Sequence, residues 1–277
     1  MHLMVMLAMT LGMLIIVSLL SAVPIYFFDI YSNRVVMITQ TVTQLAVFFV
    51  PVLLMTTIYY KGQAREYYRL NFGRNEWLLA LAGLVVWALL VPAIDWLTAW
   101  NDGWNLGRVG EYLRSMQNMT EGIVESMLSA TGFGGLLANL LVVALVPAVC
   151  EEVFFRAGIQ NLLQRWFRNP HAAIWVTAIV FSLGHGEIFS FMPRLLLGAL
   201  LGYLYVYSGS ILANSLVHFM NNAMVVLIYW LVGQGVLDID PSAPLALGES
   251  LTICCALAAV GVLWVTFFGK KKKNSAV

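Results

Sequence analysis

The chain has 277 residues, of which 61% are hydrophobic and 10% are charged, with a mean hydropathy of +0.83 and a formal net charge of +1. Soluble domains carry about 25% charged residues. This composition therefore excludes a soluble globular protein, indicates a polytopic membrane protein and gives no support to nucleic-acid binding. The three cysteines lie in apolar segments, which predicts small buried side chains rather than a disulfide framework.

Apolar runs of about 20 residues, long enough to cross the ~30 Å of hydrocarbon in a bilayer, follow one another along the chain. They predict an all-α helical bundle with about eight transmembrane helices. The runs occupy 3–23, 35–58, 77–97, 133–158, 171–187, 191–208, 210–232 and 250–268. Because no Lys or Arg precedes the first run and no clean small-x-small site follows it, we interpret it as a span rather than a signal peptide. No linker or internal repeat divides the chain, so 1–277 is predicted to be a single membrane domain.

Basic residues are concentrated on one side of this predicted bundle. Eight spans place both termini on the same side, and the lysine run at 270–273 predicts that this side is cytoplasmic. The opposite side collects most of the acidic residues. It also holds the long connection 98–132, whose apolar residues recur at helical spacing. This connection is predicted to be either an interfacial helix or a lid over a substrate site.

Charged side chains interrupt the fourth predicted span, in the segment VPAVCEEVFFRAGI at 146–159. A charge at the centre of a membrane helix costs about 2.5–3.5 kcal/mol on insertion scales. Glu152 and Arg156 are four residues apart and share a helix face, so we expect them to pair and offset much of that cost. Glu151 lies ~100° around the helix. It is therefore predicted to be the carboxylate left available for chemistry.

Two other predicted spans place polar groups at a comparable depth. The fifth contains His185, with Phe181 one turn earlier, and on the seventh Asn214, His218 and Asn222 recur every four residues. A single His or Asn can simply link two helices by a hydrogen bond, and a Glu–Arg pair can be a structural clamp. Several ionisable groups together inside a membrane are more typical of a site or a pathway.

These residues resemble the signature of the CPBP family of intramembrane proteases, the CAAX-protease and bacteriocin-processing (Abi-type) family. EEVFFR at 151–156 matches its E-E-x-x-x-R motif, FSLGH at 181–185 its F-x-x-x-H motif, and HFMNN at 218–222 its H-x-x-x-N motif. All three occur in the family order, each in an apolar segment. The resemblance places a catalytic core at 133–232.

The resemblance also implies roles for the motif residues. Glu151 is expected to act as general base, with His185 helping to hold and activate a water molecule. His218 and Asn222 are expected to stabilise the oxyanion. The remaining motif residues are expected to support the site: Glu152, Arg156 and Phe181. Hydrolysis of a peptide bond needs these functions, namely a base and donors aimed at the developing negative charge.

Alternatives remain open at this stage. We prefer a scheme that requires no cofactor, but Glu151, His185 and His218 would also form a legitimate zinc-ligand set. A non-catalytic membrane scaffold or bacteriocin-immunity protein of the same fold is a second function class. A proton-coupled transporter is a third, although transporters commonly show an internal repeat, which we do not find in this sequence.

The expected partners are a peptide or membrane-protein substrate and the lipid bilayer. The resemblance and the charge distribution lead us to expect a bacterial cell (inner) membrane, with both termini in the cytoplasm. A polar, cation-rich face on the fourth span suggests a site that opens towards the cytoplasm. The residues of this face are Arg156, Gln160, Gln164, Arg165 and Arg168.

Overall fold

The structure is a computed structural model that describes residues 1–21, 32–241 and 248–263. Within these ranges the chain forms ten helices and no strand, so the predicted polytopic helical bundle is confirmed. The helices are α1 (His2–Ser21), α2 (Asn33–Tyr59), α3 (Ala64–Tyr67), α4 (Arg74–Asp102), α5 (Gly107–Leu128), α6 (Phe133–Phe167), α7 (Pro170–Gly184), α8 (Phe191–Ser208), α9 (Ile211–Gly233) and α10 (Glu249–Leu263).

Six helices of the described chain are long and apolar enough to cross a membrane. The six candidate spans coincide with α1, α2, α4, α6, α8 and α9. The fifth and eighth predicted spans correspond to shorter apolar helices, at Pro170–Gly184 and Leu251–Val262. The lysine run at 270–273, on which the predicted orientation depends, lies outside the described residues. The single domain over 1–277 and the core at 133–232 stay predictions.

Short connections with clear capping signals make the helices around the site antiparallel neighbours. The Asn169 side chain accepts hydrogen bonds from the backbone N–H groups of His171 and Ala172 and so caps the start of α7, where Pro170 is the first residue. Gly209, with φ of +61°, ends α8, and the Ser210 hydroxyl caps α9 through the N–H of Ala213. Each of these reversals takes only a few residues, so α6 packs beside α7 and α8 beside α9.

Wide π-helical turns interrupt α2 and α6, two of the helices that supply buried polar groups of the site. They occupy Gln44–Phe49 in α2 and Leu140–Leu145 and Val153–Gln160 in α6. The first two come just before Pro51 and Pro147, whose rings have no N–H to donate to the preceding turn. Local widening of the helix is a common response to proline in membrane helices, and π-turns are frequent at functional sites.

Small residues let α8 approach α7 closely. A side chain at Gly198 would lie 3.2 Å from the Cα atom of Ala178, and one at Gly202 would lie 2.8 Å from a methyl group of Ile174. Both distances are shorter than ordinary Cβ contacts, so glycine permits this packing. This contact holds α7, and with it His185, against the rest of the bundle.

Three buried apolar clusters surround the polar segment of α6. One packs α6 from Val153 to Leu163 against α1, α2 and α7. A second joins α4 to α8 and α9, and a third packs Leu136 and Ala144 of α6 against α9 and the end of α5. Glu151 and Glu152 lie between the first and third clusters along α6. The acidic pair is therefore held in the middle of the longest candidate span.

Candidate active site

Glu152 is the most completely satisfied carboxylate of the site. Its side chain is fully buried, and its Oε2 atom accepts hydrogen bonds from Arg156 Nε at 2.9 Å and Asn214 Nδ2 at 3.1 Å. Its Oε1 atom lies 3.1 Å from His218 Nδ1. The predicted pair of Glu152 and Arg156 is present in the structure. Asn214 and His218, which the sequence placed on one face of α9, both contact the Glu152 carboxylate of this pair.

Glu151 points to a different set of side chains. It is 6% exposed, and its Oε1 atom accepts a hydrogen bond of 3.1 Å from Gln44 Nε2 on α2. Its Oε2 atom lies 3.8 Å from His185 Nε2 and also 3.8 Å from His218 Nε2. At 3.8 Å neither contact is a direct hydrogen bond. The structure thus places Glu151, His185 and His218 together, as the sequence predicted.

The two imidazoles are oriented by acceptors on their far sides. His185 Nδ1 lies 2.8 Å from the backbone oxygen of Phe181, and His218 Nδ1 lies 3.1 Å from the Glu152 carboxylate. A carbonyl or carboxylate oxygen can only accept, so these contacts assign the hydrogen to Nδ1 in both rings. In the neutral form each Nε2 then carries a lone pair. Three lone-pair atoms therefore converge: two Nε2 atoms and Oε2 of Glu151.

Phe181 forms the apolar wall between the two imidazoles. Its ring lies 4.8 Å from the His185 ring and 5.9 Å from the His218 ring, in edge-to-face geometry. The Arg156 guanidinium lies 5.4 Å from the centre of the same ring. Phe181 therefore supports the site in two ways, through its backbone oxygen and through its ring.

Asn222 is further from the centre of the site than the other motif residues. It lies on α9 one turn after His218 and is half-buried, and its Oδ1 atom accepts a hydrogen bond of 3.1 Å from Asn221. Among the described residues, the structure records no hydrogen bond between Asn222 and Glu151 or either histidine. The Asn222 amide nitrogen faces no recorded acceptor in this part of the chain and remains available as a donor.

His185 lies beyond its helix rather than inside it. The prediction placed it within a span of 171–187, whereas α7 ends at Gly184 and His185 is the residue that follows. Gly186, with φ of +71°, turns the chain there and ends the helix. The His185 side chain is 29% exposed, against 4% for His218 and 8% for Glu151. Of these three side chains, His185 is therefore the one that reaches the boundary of the site.

The predicted open cationic face on α6 is only partly present, because Arg165 and Arg168 are exposed whereas the residues nearest the site are buried. Arg156 and Gln160 are fully buried, because Arg156 pairs with Glu152 and the Gln160 amide donates to the backbone oxygen of Gly202. The helix α6 continues to Phe167, past the predicted end of the span at residue 158. His185 lies at the opposite end of α7 from Asn169, so the exposed edge of the site lies at the other end of the bundle from Arg165 and Arg168.

Sequence reasoning missed Gln44. It is 7% exposed on α2, far from the three motifs in sequence, and it is the donor to Glu151 Oε1. Its own Oε1 atom is buried and has no partner in the described structure. The signal was present in principle, since an uncharged amide interrupts an apolar run in TQLAVFF. An isolated amide in an apolar run belongs to no motif, so its spacing along the chain does not connect it with Glu151.

Comparison with known protein families bears on this arrangement directly. Residues 133–224 match the family model described as type II CAAX prenyl endopeptidase Rce1-like. This segment is Rce1-like. The recognition of the CPBP family is confirmed over about a third of the chain, which includes all three motifs. No curated protein and no solved structure matches the chain.

The Rce1-like match supports a CAAX-type intramembrane protease and an integral membrane protein. Gln44 and the whole of α1 to α5 lie outside the matched residues. The contact between Gln44 and Glu151 is therefore a feature of this chain's tertiary structure and not of the matched Rce1-like segment.

A zinc ion was an alternative reading of the same side chains. Glu151, His185 and His218 are of the right types, and histidines anchored through Nδ1 are common around zinc. Ligand atoms around a tetrahedral zinc lie ~2.0–2.2 Å from the metal, which brings them closer to each other than 3.8 Å. Across the described ranges, no group of three or more His, Cys, Asp or Glu side chains is arranged to hold a metal ion. The preference for a scheme without a metal therefore stays a prediction.

Proposed function

We propose that this chain is an intramembrane endopeptidase in which Glu151 activates water for attack on a peptide bond. The observation that supports this proposal best is the position of Glu151 Oε2, 3.8 Å from Nε2 of both His185 and His218. A water molecule held by Glu151 Oε2 and His185 Nε2 can donate one hydrogen to each lone pair, which leaves its oxygen free to attack. Such positioning of a nucleophile next to a base is the main requirement of general base catalysis.

In the first step Glu151 takes a proton from the water molecule while the water oxygen attacks the substrate carbonyl. Gln44 holds Glu151 Oε1, so Oε2 is the oxygen that faces the water. Neutral His185 accepts a hydrogen bond from the water at Nε2, because its Nδ1 hydrogen is donated to the Phe181 backbone oxygen. The proton held by Glu151 is then available for the leaving amine, which completes hydrolysis without any other reactant.

In the second step the negative charge on the substrate oxygen must be stabilised. In its neutral form with hydrogen on Nδ1, His218 has no hydrogen on Nε2 and cannot donate there. A proton taken up from solvent at Nε2 before the water is activated, and kept there through the reaction, gives an imidazolium whose charge is offset by the Glu152 carboxylate at Nδ1. We propose that this form donates to the oxyanion, assisted by the Asn222 amide. Glu152 therefore orients and supports His218, in the way a buried carboxylate supports the histidine of a catalytic triad.

The proposed substrate is a peptide or membrane protein whose scissile bond lies near or within the membrane. The family description names CAAX prenyl endopeptidases, so a lipid-modified C-terminal peptide is one form that this substrate could take. The exposed position of His185 beyond α7 supports entry of the peptide at that end of the bundle. The location in the bacterial inner membrane and the cytoplasmic termini remain part of the proposal.

The proposal is tested by comparing new protein termini in cells that produce the wild type or the Glu151→Gln variant at equal levels. Loss of the carboxylate removes the base, so termini that depend on the protein are expected to disappear in Glu151→Gln. Glu111→Gln is the matched control, because Glu111 lies exposed on α5 and takes no part in the site.

If the same termini appear with Glu151→Gln, Glu151 is not the base and the mechanism is wrong. If the wild type produces no new termini, while both proteins are folded and abundant, the chain is a non-catalytic membrane scaffold or immunity protein. The zinc content of the purified active protein, measured by mass spectrometry, tests the metal-free scheme separately. Stoichiometric zinc lost together with activity on chelation would overturn that scheme.

A further inference from the structure

A second concave region lies at the end of the bundle opposite His185, where α2 ends and α4 begins. There the short helix α3 folds back over the end of α6 and forms a polar cavity of about 300 Å³. The lining residues are Tyr60, Gln63, Glu66, Tyr67, Arg69, Asn161 and Arg165. This polar cavity contains two guanidinium groups and one carboxylate, so its charge balance favours an anion.

The two arginines are held in place by aromatic rings. The Arg165 side chain is exposed, donates a hydrogen bond of 2.8 Å to the Tyr60 hydroxyl, and lies 5.2 Å from the Tyr60 ring centre and 5.7 Å from that of Tyr67. The Arg69 guanidinium lies 4.6 Å from the Tyr205 ring centre, with one Nη1 contact of 3.4 Å to the Tyr205 backbone oxygen. Most of the N–H donors of both groups remain free for a ligand.

Two buried polar side chains of this cavity lack partners. Tyr67 is 4% exposed and its hydroxyl has no hydrogen-bond partner in the described structure. Asn161 is 6% exposed, and no hydrogen bond of its amide is recorded among the described residues. Burial raises the pKa of the Tyr67 hydroxyl above its ordinary value, so the group stays protonated and can donate. The buried Tyr67 hydroxyl, together with the Asn161 amide, is therefore available to a ligand in the cavity.

The backbone of Arg69 is strained. It adopts a left-handed conformation with φ of +50°, which non-glycine residues rarely adopt. Its carbonyl oxygen accepts a hydrogen bond of 3.2 Å from the N–H of Ile211 at the start of α9. This bond fixes the loop against the bundle. The strained conformation therefore presents the Arg69 side chain at the cavity in a fixed position.

An apolar groove of about 580 Å³ adjoins the polar cavity and shares Tyr60 and Arg165 with it. Leu3, Met4 and Leu162 line the groove, and Trp166 lies at its edge. The groove lies between the first residues of α1 and the last turns of α6, and the polar cavity lies beside it, between those same turns of α6 and the segment 60–69. An apolar groove thus adjoins a cationic cavity at the same end of the bundle.

We propose that this joint site binds an anionic phospholipid. The phosphate group lies in the polar cavity against Arg69, Arg165, Tyr67 and Asn161, and one acyl chain lies along the groove. A free anion would account for the cavity alone, whereas only an amphiphile uses both regions through the shared Tyr60 and Arg165. The site is distinct from the one around Glu151, and the proposal does not depend on the proteolytic activity.

The experiment measures lipid retention by the purified full chain using native mass spectrometry after exchange into detergent containing phosphatidylglycerol or phosphatidylcholine. We expect the wild type to retain phosphatidylglycerol preferentially. Arg165→Gln is expected to lower this retention by about tenfold, since it removes a charge-assisted contact. Arg168→Gln is the matched control, because it removes a nearby exposed charge that does not line the cavity.

Thermal unfolding in phosphatidylcholine alone checks that Arg165→Gln is folded, and Asn161→Leu gives a second variant that changes the polar cavity without altering charge. Both variants are expected to lose the stabilisation by phosphatidylglycerol that the wild type shows. Equal retention of the two lipids by the wild type, or an equal loss in Arg168→Gln, would overturn the proposal. Full competition by inorganic phosphate at similar concentration would also overturn it, by assigning the site to a free anion.

Discussion

Removal of Arg156 should be among the most damaging single changes in the bundle. Arg156→Met keeps the length and apolar stem of the side chain but deletes the guanidinium. Arg156 and Glu152 are both fully buried, and the deletion leaves the Glu152 carboxylate with two uncharged donors, Asn214 Nδ2 and His218 Nδ1, each at 3.1 Å. A buried carboxylate that loses its counter-charge is penalised by the full cost of its desolvation.

The expected decrease in the free energy of unfolding of Arg156→Met follows from this loss of the counter-charge. Removing one partner of a buried ion pair costs about 3–5 kcal/mol in proteins. Because two donors remain on Glu152, we expect a value near the lower end, about 3 kcal/mol. The double variant Arg156→Met with Glu152→Gln carries no buried charge at this place, and should therefore recover more than half of the loss. Asn214 Oδ1, which has no partner in the described structure, can accept from the new amide.

The assay is reversible unfolding in mixed micelles, followed by tryptophan fluorescence as the denaturing detergent is increased. The free energies of unfolding of the wild type, the single variant and the double variant are compared in the same micelles. A loss below about 1 kcal/mol in Arg156→Met would show that Glu152 is not an uncompensated buried charge. If the double variant has a lower free energy of unfolding than Arg156→Met, the Glu152 carboxylate stabilises the fold even without Arg156, and the reasoning is wrong.

Two further substitutions test other contacts of the site. Gln44→Met removes the donor to the proposed base, and because a hydrogen bond to a charged group contributes about 1.5–3 kcal/mol, we expect kcat to fall by about 10- to 100-fold with KM unchanged. Gln160→Met is the control, because it deletes another buried amide and should keep the wild-type kcat. A wild-type kcat in Gln44→Met would contradict the role of Gln44. Gly198→Val forces a side chain against the backbone of α7 at 3.2 Å and should lower the free energy of unfolding by about 1–3 kcal/mol. Gly122→Val on α5 meets no neighbour within 4 Å and serves as its control in thermal unfolding; equal losses in the two variants would rule out the close approach of α8 to α7.

Periodicity and composition were sufficient to predict a bundle of membrane helices. The bilayer demands long apolar helices, so the runs along the sequence correspond to the observed helices, although α6 continues past residue 158 to Phe167 and α7 stops at Gly184. The wrong helix ends, at residue 158 and at residue 187, both arise from local effects. A buried amide such as Gln160 is satisfied by a neighbouring helix, and a glycine such as Gly186 turns the chain, and neither effect is visible in the hydrophobicity of a window.

The pair of Glu152 and Arg156 was also predictable, because residues four apart on a helix meet whatever surrounds them. The three motifs identified the candidate residues of the core through their resemblance to a family, and the family match covers the same residues. Those inferences need only local geometry or a recognisable string of residues.

The tertiary structure alone decided how the polar groups share their partners. Which oxygen of which glutamate meets Asn214, His218 or Gln44 depends on the rotation and depth of helices far apart in sequence, and the π-turns of α2 and α6 alter both. The sequence by itself determined a membrane bundle, its main helices and a local ion pair. The joining of Gln44, Glu151, His185 and His218 required the folded bundle, because contacts between helices arise from packing rather than from spacing along one chain.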